Sequence, residues 1–422
     1  MSLLFIGLIL AVAPALVSTP EQHESWGVQW HFGSADLAIS LLGAACIALG
    51  IGISNADSGG RPVAVELSVD VDRLVRASNF LFGLVLVGYA TWLVSAVTHG
   101  LTPDIAYSAL MGESGASYRA RAVLVTVPGL STLTEMAPSL AVCLVILWRC
   151  GRRRAVMVSA VLTLSILRAF LNSERLSLIT VVVPVVAVAL LVNVSRGGSE
   201  SFVRGGNRWA KAVYLLAPML MLLLFAITER GRSWSSHYAS RTEGGLMWFA
   251  YDRILGYYAT AANNGAILRD SGSLGGWPLS TQFLSDAPGF GHLFSIYTPA
   301  EYHAWWVALL STTGNPEFNN PSGIVPIFVE LGPMAVILWA LWGVLAGGLY
   351  RSCRRASVAG IVGYCSLCVG LVELGRIPYF TSGRFVVNVL AIVIVYLVYR
   401  GRAANRRGLE PGGSHYLAMR AQ

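Results

Sequence analysis

The chain has 422 residues, 55% of them hydrophobic and 12% charged, against roughly 45–50% and about 25% in soluble domains. Half the usual charge cannot clothe a soluble surface, so a mean hydropathy of +0.61 excludes a cytosolic enzyme, a disordered scaffold and a secreted disulfide framework. The net charge of +8, carried by arginines apart from Lys211, lies in short clusters beside apolar runs, a pattern that orients membrane helices and argues against nucleic acid as a partner.

Taken in chain order, uninterrupted apolar runs predict ten spans: Ser2 to Val17, Leu37 to Ser54, Phe80 to Val97, Pro128 to Trp148, Val156 to Leu171, Leu176 to Val194, Trp209 to Ile227, Ile324 to Tyr350, Ala356 to Leu374 and Phe385 to Tyr399. All are expected to be helices, because a segment in hydrocarbon must satisfy its own backbone hydrogen bonds. The first run resembles a signal peptide but lacks a basic start and precedes nine further runs, so it is read as a retained helix. Pro138, Pro184, Pro218, Pro326 and Pro333 predict kinks. The fold class is therefore an all-α polytopic membrane protein. Helices 1–7 occupy 1–227, a large extracytoplasmic loop 228–322, helices 8–10 323–400 and a cytoplasmic tail 401–422.

Short loops rich in Lys and Arg stay cytoplasmic. Arg149, Arg152, Arg153 and Arg154, then Arg196, Arg204, Arg208 and Lys211, then Arg351, Arg354 and Arg355 occupy alternate connections, and Arg400, Arg402, Arg406 and Arg407 end the chain. That alternation places both termini in the cytoplasm. The connections between them then face outward, including the stretch with Arg119 and Arg121 and the long loop, whose Trp234, Trp248, Tyr251, Tyr257, Tyr258, Trp277, Phe290, Tyr297, Trp305 and Trp306 suit either a headgroup layer or stacking on sugars.

Glu135, Glu330 and Glu373 lie toward the outer ends of spans, where an ionisable group marks a functional candidate. Arginines collect on the same side, against the orientation bias: Arg168 and Arg175 around one turn, Arg376 and Arg384 around another, and Arg230, Arg232, Arg241, Arg253 and Arg269 on the long loop. Guanidinium forks suit the oxygens of a diphosphate. The competing reading pairs them with Glu174, Glu229, Asp252, Asp270 and Glu373. Turn chemistry over Thr313 to Gly323 then leads into the eighth span, with a helix start expected near Ser322 and its free amides facing outward. Asp70-x-Asp72 and the Cys365-x-x-Cys368 pair carry little weight as metal motifs, the former on a cytoplasmic connection and the latter in an apolar run.

Asn319-Asn320-Pro321-Ser322-Gly323 followed by Ile327-Phe328-Val329-Glu330-Leu331-Gly332, at the exit of a long outer loop, resembles Wzy-type oligosaccharide repeat-unit polymerases. Asn172-Ser173-Glu174-Arg175-Leu176-Ser177 and Arg253-Ile254-Leu255-Gly256-Tyr257-Tyr258 add to the likeness, which extends over roughly spans five to ten. The resemblance implies a GT-C-like integral-membrane glycosyltransferase of the bacterial inner membrane that needs no metal or cofactor. Such an enzyme moves a growing glycan from undecaprenyl diphosphate onto the next lipid-linked repeat unit. Flippase and chain-length regulator proteins are the partners it implies. Arg175, Arg376 and Arg384 are then expected to hold the donor diphosphate, with Arg168, Arg230, Arg253, Asn319, Asn320, Ser322 and Glu330 also binding substrate. Glu317, Asp252 and His303 are candidate bases for the acceptor hydroxyl. Glu174 and Leu176 depart from the small residues usual beside that arginine. A transporter or flippase for an anionic lipid-linked substrate is the alternative, as is a ligase-like transferase, although neither His292 nor His303 is followed by the His-x-x-Asn spacing of the ligases.

Overall fold

The computed structural model describes residues 2–56, 69–113, 115–127, 129–172, 176–191, 216, 219, 222–230, 233–234, 238–239, 244–272, 279–285, 299–355 and 357–400. Along this length lie α1 (Ser2–Val17), α2 (Pro20–Ser25), α3 (Ser34–Asn55), α4 (Val71–Thr98), α5 (Pro103–Met111), α6 (Ala116–Val123), α7 (Ala137–Arg149), α8 (Ala155–Leu171) and α9 (Leu176–Leu191). There follow α10 (Gly245–Ser271), α11 (Pro299–Thr313), α12 (Val325–Leu331), α13 (Ala335–Arg354), α14 (Val358–Val372) and α15 (Gly383–Arg400). The described residues contain helices and no strand, and five helical stretches among them are long and apolar enough to cross a membrane. These are Ser34–Asn55, Val71–Thr98, Ser131–Arg149, Val325–Arg354 and Val358–Gly375, with α1, α8, α9 and α15 as shorter apolar helices. The predicted seventh span and the arginine tail lie largely outside the described residues.

Small residues set the closest helix contact. On α13 a Cβ added to Gly343 would overlap the Ile47 carbonyl oxygen, and one on Gly347 would come within 3.0 Å of Ile51 Cα, both on α3. Gly50 of α3 faces back onto α13 in the same way. This Gly-x-x-x-Gly contact brings backbones together without any larger side chain between them, which is how helices associate where lipid removes the hydrophobic drive. Ser54 Oγ adds a 2.9 Å hydrogen bond to Val344 O. Pro333 interrupts the predicted eighth span as expected: α12 stops at Gly332, whose φ of 56° breaks the helix before α13 begins.

The helix α14 joins two halves of the interior. Its first turns pack in one buried cluster with α4, α7 and α15, and its last turns in a second with α1, α3 and α13. Hydrogen bonds run across these layers in the dry interior: Ser139 Oγ of α7 donates to Asn388 Oδ1 of α15 at 2.6 Å, and Asn388 Nδ2 donates to Ser366 O of α14 at 3.3 Å. In such surroundings an unmade bond is costly, so the set fixes helix register. The Cys368 thiol donates to Cys365 O one turn back along the same helix.

The long connection is not a loose lid. Its 27-residue helix α10 is buried on every side from Gly256 to Leu268. Two adjacent asparagines tie it in place. Asn263 Oδ1 accepts from His31 N at 2.6 Å and Phe32 N at 3.0 Å, and its Nδ2 donates to Gln29 O at 2.7 Å. Asn264 Nδ2 donates to Phe318 O and Asn320 O at 2.5 and 2.9 Å, so α10 carries the backbone of the Asn319-Asn320 segment.

Candidate functional site

A cavity of about 510 Å³ opens at one end of the bundle. Its lining comes from α6 (Arg121), the end of α8 and start of α9 (Asn172, Leu176), α10 (Tyr257), α11 (Tyr302, His303, Trp306), the segment before α12 (Asn319, Asn320) and the connection from α14 to α15 (Arg376, Tyr379, Arg384). The arginine alternation groups every one of these connections on the same side of the bundle. Segments far apart in sequence thus bring three guanidinium groups and four aromatic rings to one chamber.

Each arginine reaches it differently. Arg376 is 7% exposed and its Nε donates to Glu373 Oε2 at 2.6 Å, while Tyr258 OH donates to Glu373 Oε1 at 3.4 Å. Burial, then the Glu373 charge, pushes the Tyr258 phenol far up, so it stays a neutral donor. Arg384 Nε stands 4.0 Å from Glu135 Oε1, and the same oxygen lies 3.1 Å from Arg168 Nη1. Arg121 is exposed and has no ion pair among the described residues. Asn172 Oδ1 is buried without a hydrogen-bond partner among the described residues, an uncommon state for a polar atom. Burial also pushes the Tyr302 phenol up, so that side chain stays a neutral donor.

The Asn319-to-Gly323 segment forms part of the wall by backbone packing. Trp306 Nε1 donates to Asn319 O at 2.8 Å, and Ser322 takes a left-handed backbone with φ 71°. Ser322 Oγ accepts from Ile324 N at 3.4 Å, and the helix starts at Val325, three residues later than expected. No helix terminus is therefore presented at Ser322, and Ser322 acts as a turn residue behind the wall. Gly323 is required by close approach: a Cβ there would overlap Leu374 O and stand 2.5 Å from Ile377 O, in the turn that carries Arg376. Gly323→Ala is expected to displace that turn and destabilise the protein by about 1–3 kcal/mol, read from melting curves in detergent; an unchanged transition would mean that the turn yields freely.

Other predicted residues lie elsewhere. Arg253, 2% exposed, pairs with Glu317 and lies 3.5 Å by Nε from Glu229 Oε2, with its guanidinium 4.4 Å from the Phe318 ring. Asp252 accepts from Trp26 Nε1 at 2.8 Å and Gln22 Nε2 at 3.3 Å, pinning α2. Glu330 accepts from Ser280 N and Ser280 Oγ, each at 2.6 Å. Arg168 also donates to Thr134 Oγ1. Arg230 is exposed on a separate cavity of about 250 Å³ lined by Phe170, Leu223 and Met247. None of Arg168, Arg230, Arg253, Asp252, Glu317, Ser322 and Glu330 lines the main chamber. Of the base candidates it holds His303 alone. Arg175 and its neighbour Glu174 lie outside the described residues, as do Arg232, Arg241, Trp277, Phe290, His292 and Tyr297. The ion-pairing alternative accounts for Arg253 with Glu229, Arg376 with Glu373, and Arg269 with Asp270 at 2.8 Å.

Sequence reading missed Arg121, Asn172, Tyr302 and Tyr379 as wall residues. Their signal was the parity of the connections, since the arginine alternation groups these segments on one side. Asp70 N-caps α4, accepting from Arg73 N at 3.1 Å, which accounts for the Asp-x-Asp pattern locally.

Fold and cavity together define the class: a helical protein with helices of membrane-spanning length and a basic, aromatic-walled chamber at one end. Comparison of the chain with protein-family models, with curated proteins and with solved structures found no match.

Proposed function

We propose that the chain polymerises undecaprenyl-diphosphate-linked oligosaccharide repeat units at the outer leaflet of a bacterial inner membrane, as a ten-span glycosyltransferase of GT-C-like architecture with both termini cytoplasmic. The observation that carries this reading is the meeting of Arg121, Arg376 and Arg384 in one chamber walled by Tyr257, Tyr302, Trp306 and Tyr379. Three cations beside aromatic faces suit a diphosphate joined to sugars. Arg376, held by Glu373, offers its charge without reorganisation as the bond from anomeric carbon to phosphate oxygen breaks. The donor leaves as undecaprenyl diphosphate while the acceptor hydroxyl oxygen bonds to that carbon. His303 takes the hydroxyl proton in this scheme, since Glu317 is engaged by Arg253 and Asp252 by Trp26.

His303→Ala is expected to slow polymerisation by about 10²–10⁴-fold with protein abundance unchanged. A variant as fast as the parent would move the base elsewhere. For the activity itself, purified protein given lipid-linked repeat units should produce a gel ladder. Passage of the lipid-linked unit across vesicles without any ladder would favour the transporter reading instead.

A further inference from the structure

A second, almost wholly apolar cavity lies apart from the first and shares no lining residue with it. About 350 Å³ in volume, it lies between α7, α8 and α9 and is lined by Ala141, Leu144, Val161, Leu162, Val185 and their apolar neighbours, with Arg149 as the one charged lining residue. Trp148 and Leu162 at its edge are 50% and 39% exposed, so it opens sideways to the surroundings of the bundle. At a share of roughly 30 Å³ per methylene-sized group, close to that of a water in the liquid, it holds on the order of ten such groups, most of one acyl chain.

Arginines lie in the connection beside it. Arg152 and Arg153 are exposed on the connection from α7 to α8, Arg154 follows, and the Arg153 guanidinium lies 6.0 Å from the Trp148 ring centroid. Arg149 reaches across the groove and donates by Nη2 to Ala189 O of α9 at 3.0 Å, closing the space on that side. An aliphatic slot below a tryptophan and a row of arginines has two demands: hydrocarbon within and negative charge at the rim. A zwitterionic lipid meets the second demand only in part, because its own ammonium offsets its phosphate.

We infer that this groove is a binding site for one anionic phospholipid, its acyl chain between α7, α8 and α9 and its phosphate against Arg152 and Arg153. The inference does not depend on the polymerase reading, because the groove shares no lining residue with the chamber.

The test uses full-length protein in a neutral detergent, with phosphatidylglycerol and phosphatidylcholine of identical chains titrated in turn and bound lipid counted by native mass spectrometry. One phosphatidylglycerol per chain is expected, with an apparent Kd on the order of tenfold below that for phosphatidylcholine. Arg152→Gln combined with Arg153→Gln, both exposed positions, should bring the two affinities within about twofold of each other. Leu162→Trp, whose ring occupies the groove, should weaken both lipids. Equal retention of the two lipids by the parent overturns the inference, as does a preference that survives both variants. Displacement by an equal concentration of palmitate would assign the groove to a free fatty acid and also overturns it.

Discussion

For the polymerase proposed above, Arg384→Ala should remove polymer ladders, slowing transfer by about 10²–10³-fold, the loss that follows deletion of one preorganised charge donor from an active site. The fold is expected to survive. Glu135, which Arg384 approaches to 4.0 Å, keeps Arg168 at 3.1 Å and is not stranded by the change. Arg376→Ala is a poorer probe, because Glu373 is 1% exposed and loses the cation 2.6 Å away. Arg384→Lys should recover part of the rate, since a point charge replaces the fork without its two-point geometry. Initial rates with lipid-linked repeat units, together with melting curves, decide the matter. Full activity in Arg384→Ala protein would end the diphosphate assignment for this residue.

Arg253→Met is expected to destabilise the protein by about 3–5 kcal/mol, because it strips a buried charge from Glu229, which is 0% exposed, and from Glu317 beside it. In a melting experiment in detergent the transition should fall by several degrees. The combination Arg253→Met, Glu229→Leu and Glu317→Leu should regain most of the loss, since an apolar trio of similar volume carries no desolvation cost. This pair of results separates two roles for Arg253. A substrate-binding arginine would leave stability intact and reduce activity in both variants, whereas the arginine found beneath Phe318 acts on stability first. An unchanged melting transition in the single variant would return Arg253 to the list of substrate contacts.

Much of the helix inventory is legible in the chain itself. Long apolar runs such as Val71–Thr98 and Val358–Val372 have no other way to satisfy their backbone in an apolar setting. Pro333 next to Gly332 marks the break before α13 for a local reason, a helix N–H removed beside a residue able to take positive φ. The chamber draws on connections that the alternation of arginines groups on one side of the bundle. Which arginines point into it was not readable. Arg253 and Arg376 look alike in sequence, each near aromatics and acidic residues, yet Arg253 faces Glu317 under Phe318 while Arg376 turns to the chamber wall.

By itself, then, the order of residues determined helices of membrane-spanning length and the break at Gly332 and Pro333. Those properties follow from local backbone satisfaction and from hydropathy along one dimension. Tertiary structure alone decided that α10 is an interior helix clamped through Asn263 and Asn264, and that Glu317 and Asp252 are engaged away from the chamber. It also brought Arg121 to within one cavity of Arg384. The physical reason is that a charge's role depends on its nearest opposite charge in space. Arg253 finds Glu317 64 positions away, whereas Arg376 finds Glu373 one turn back.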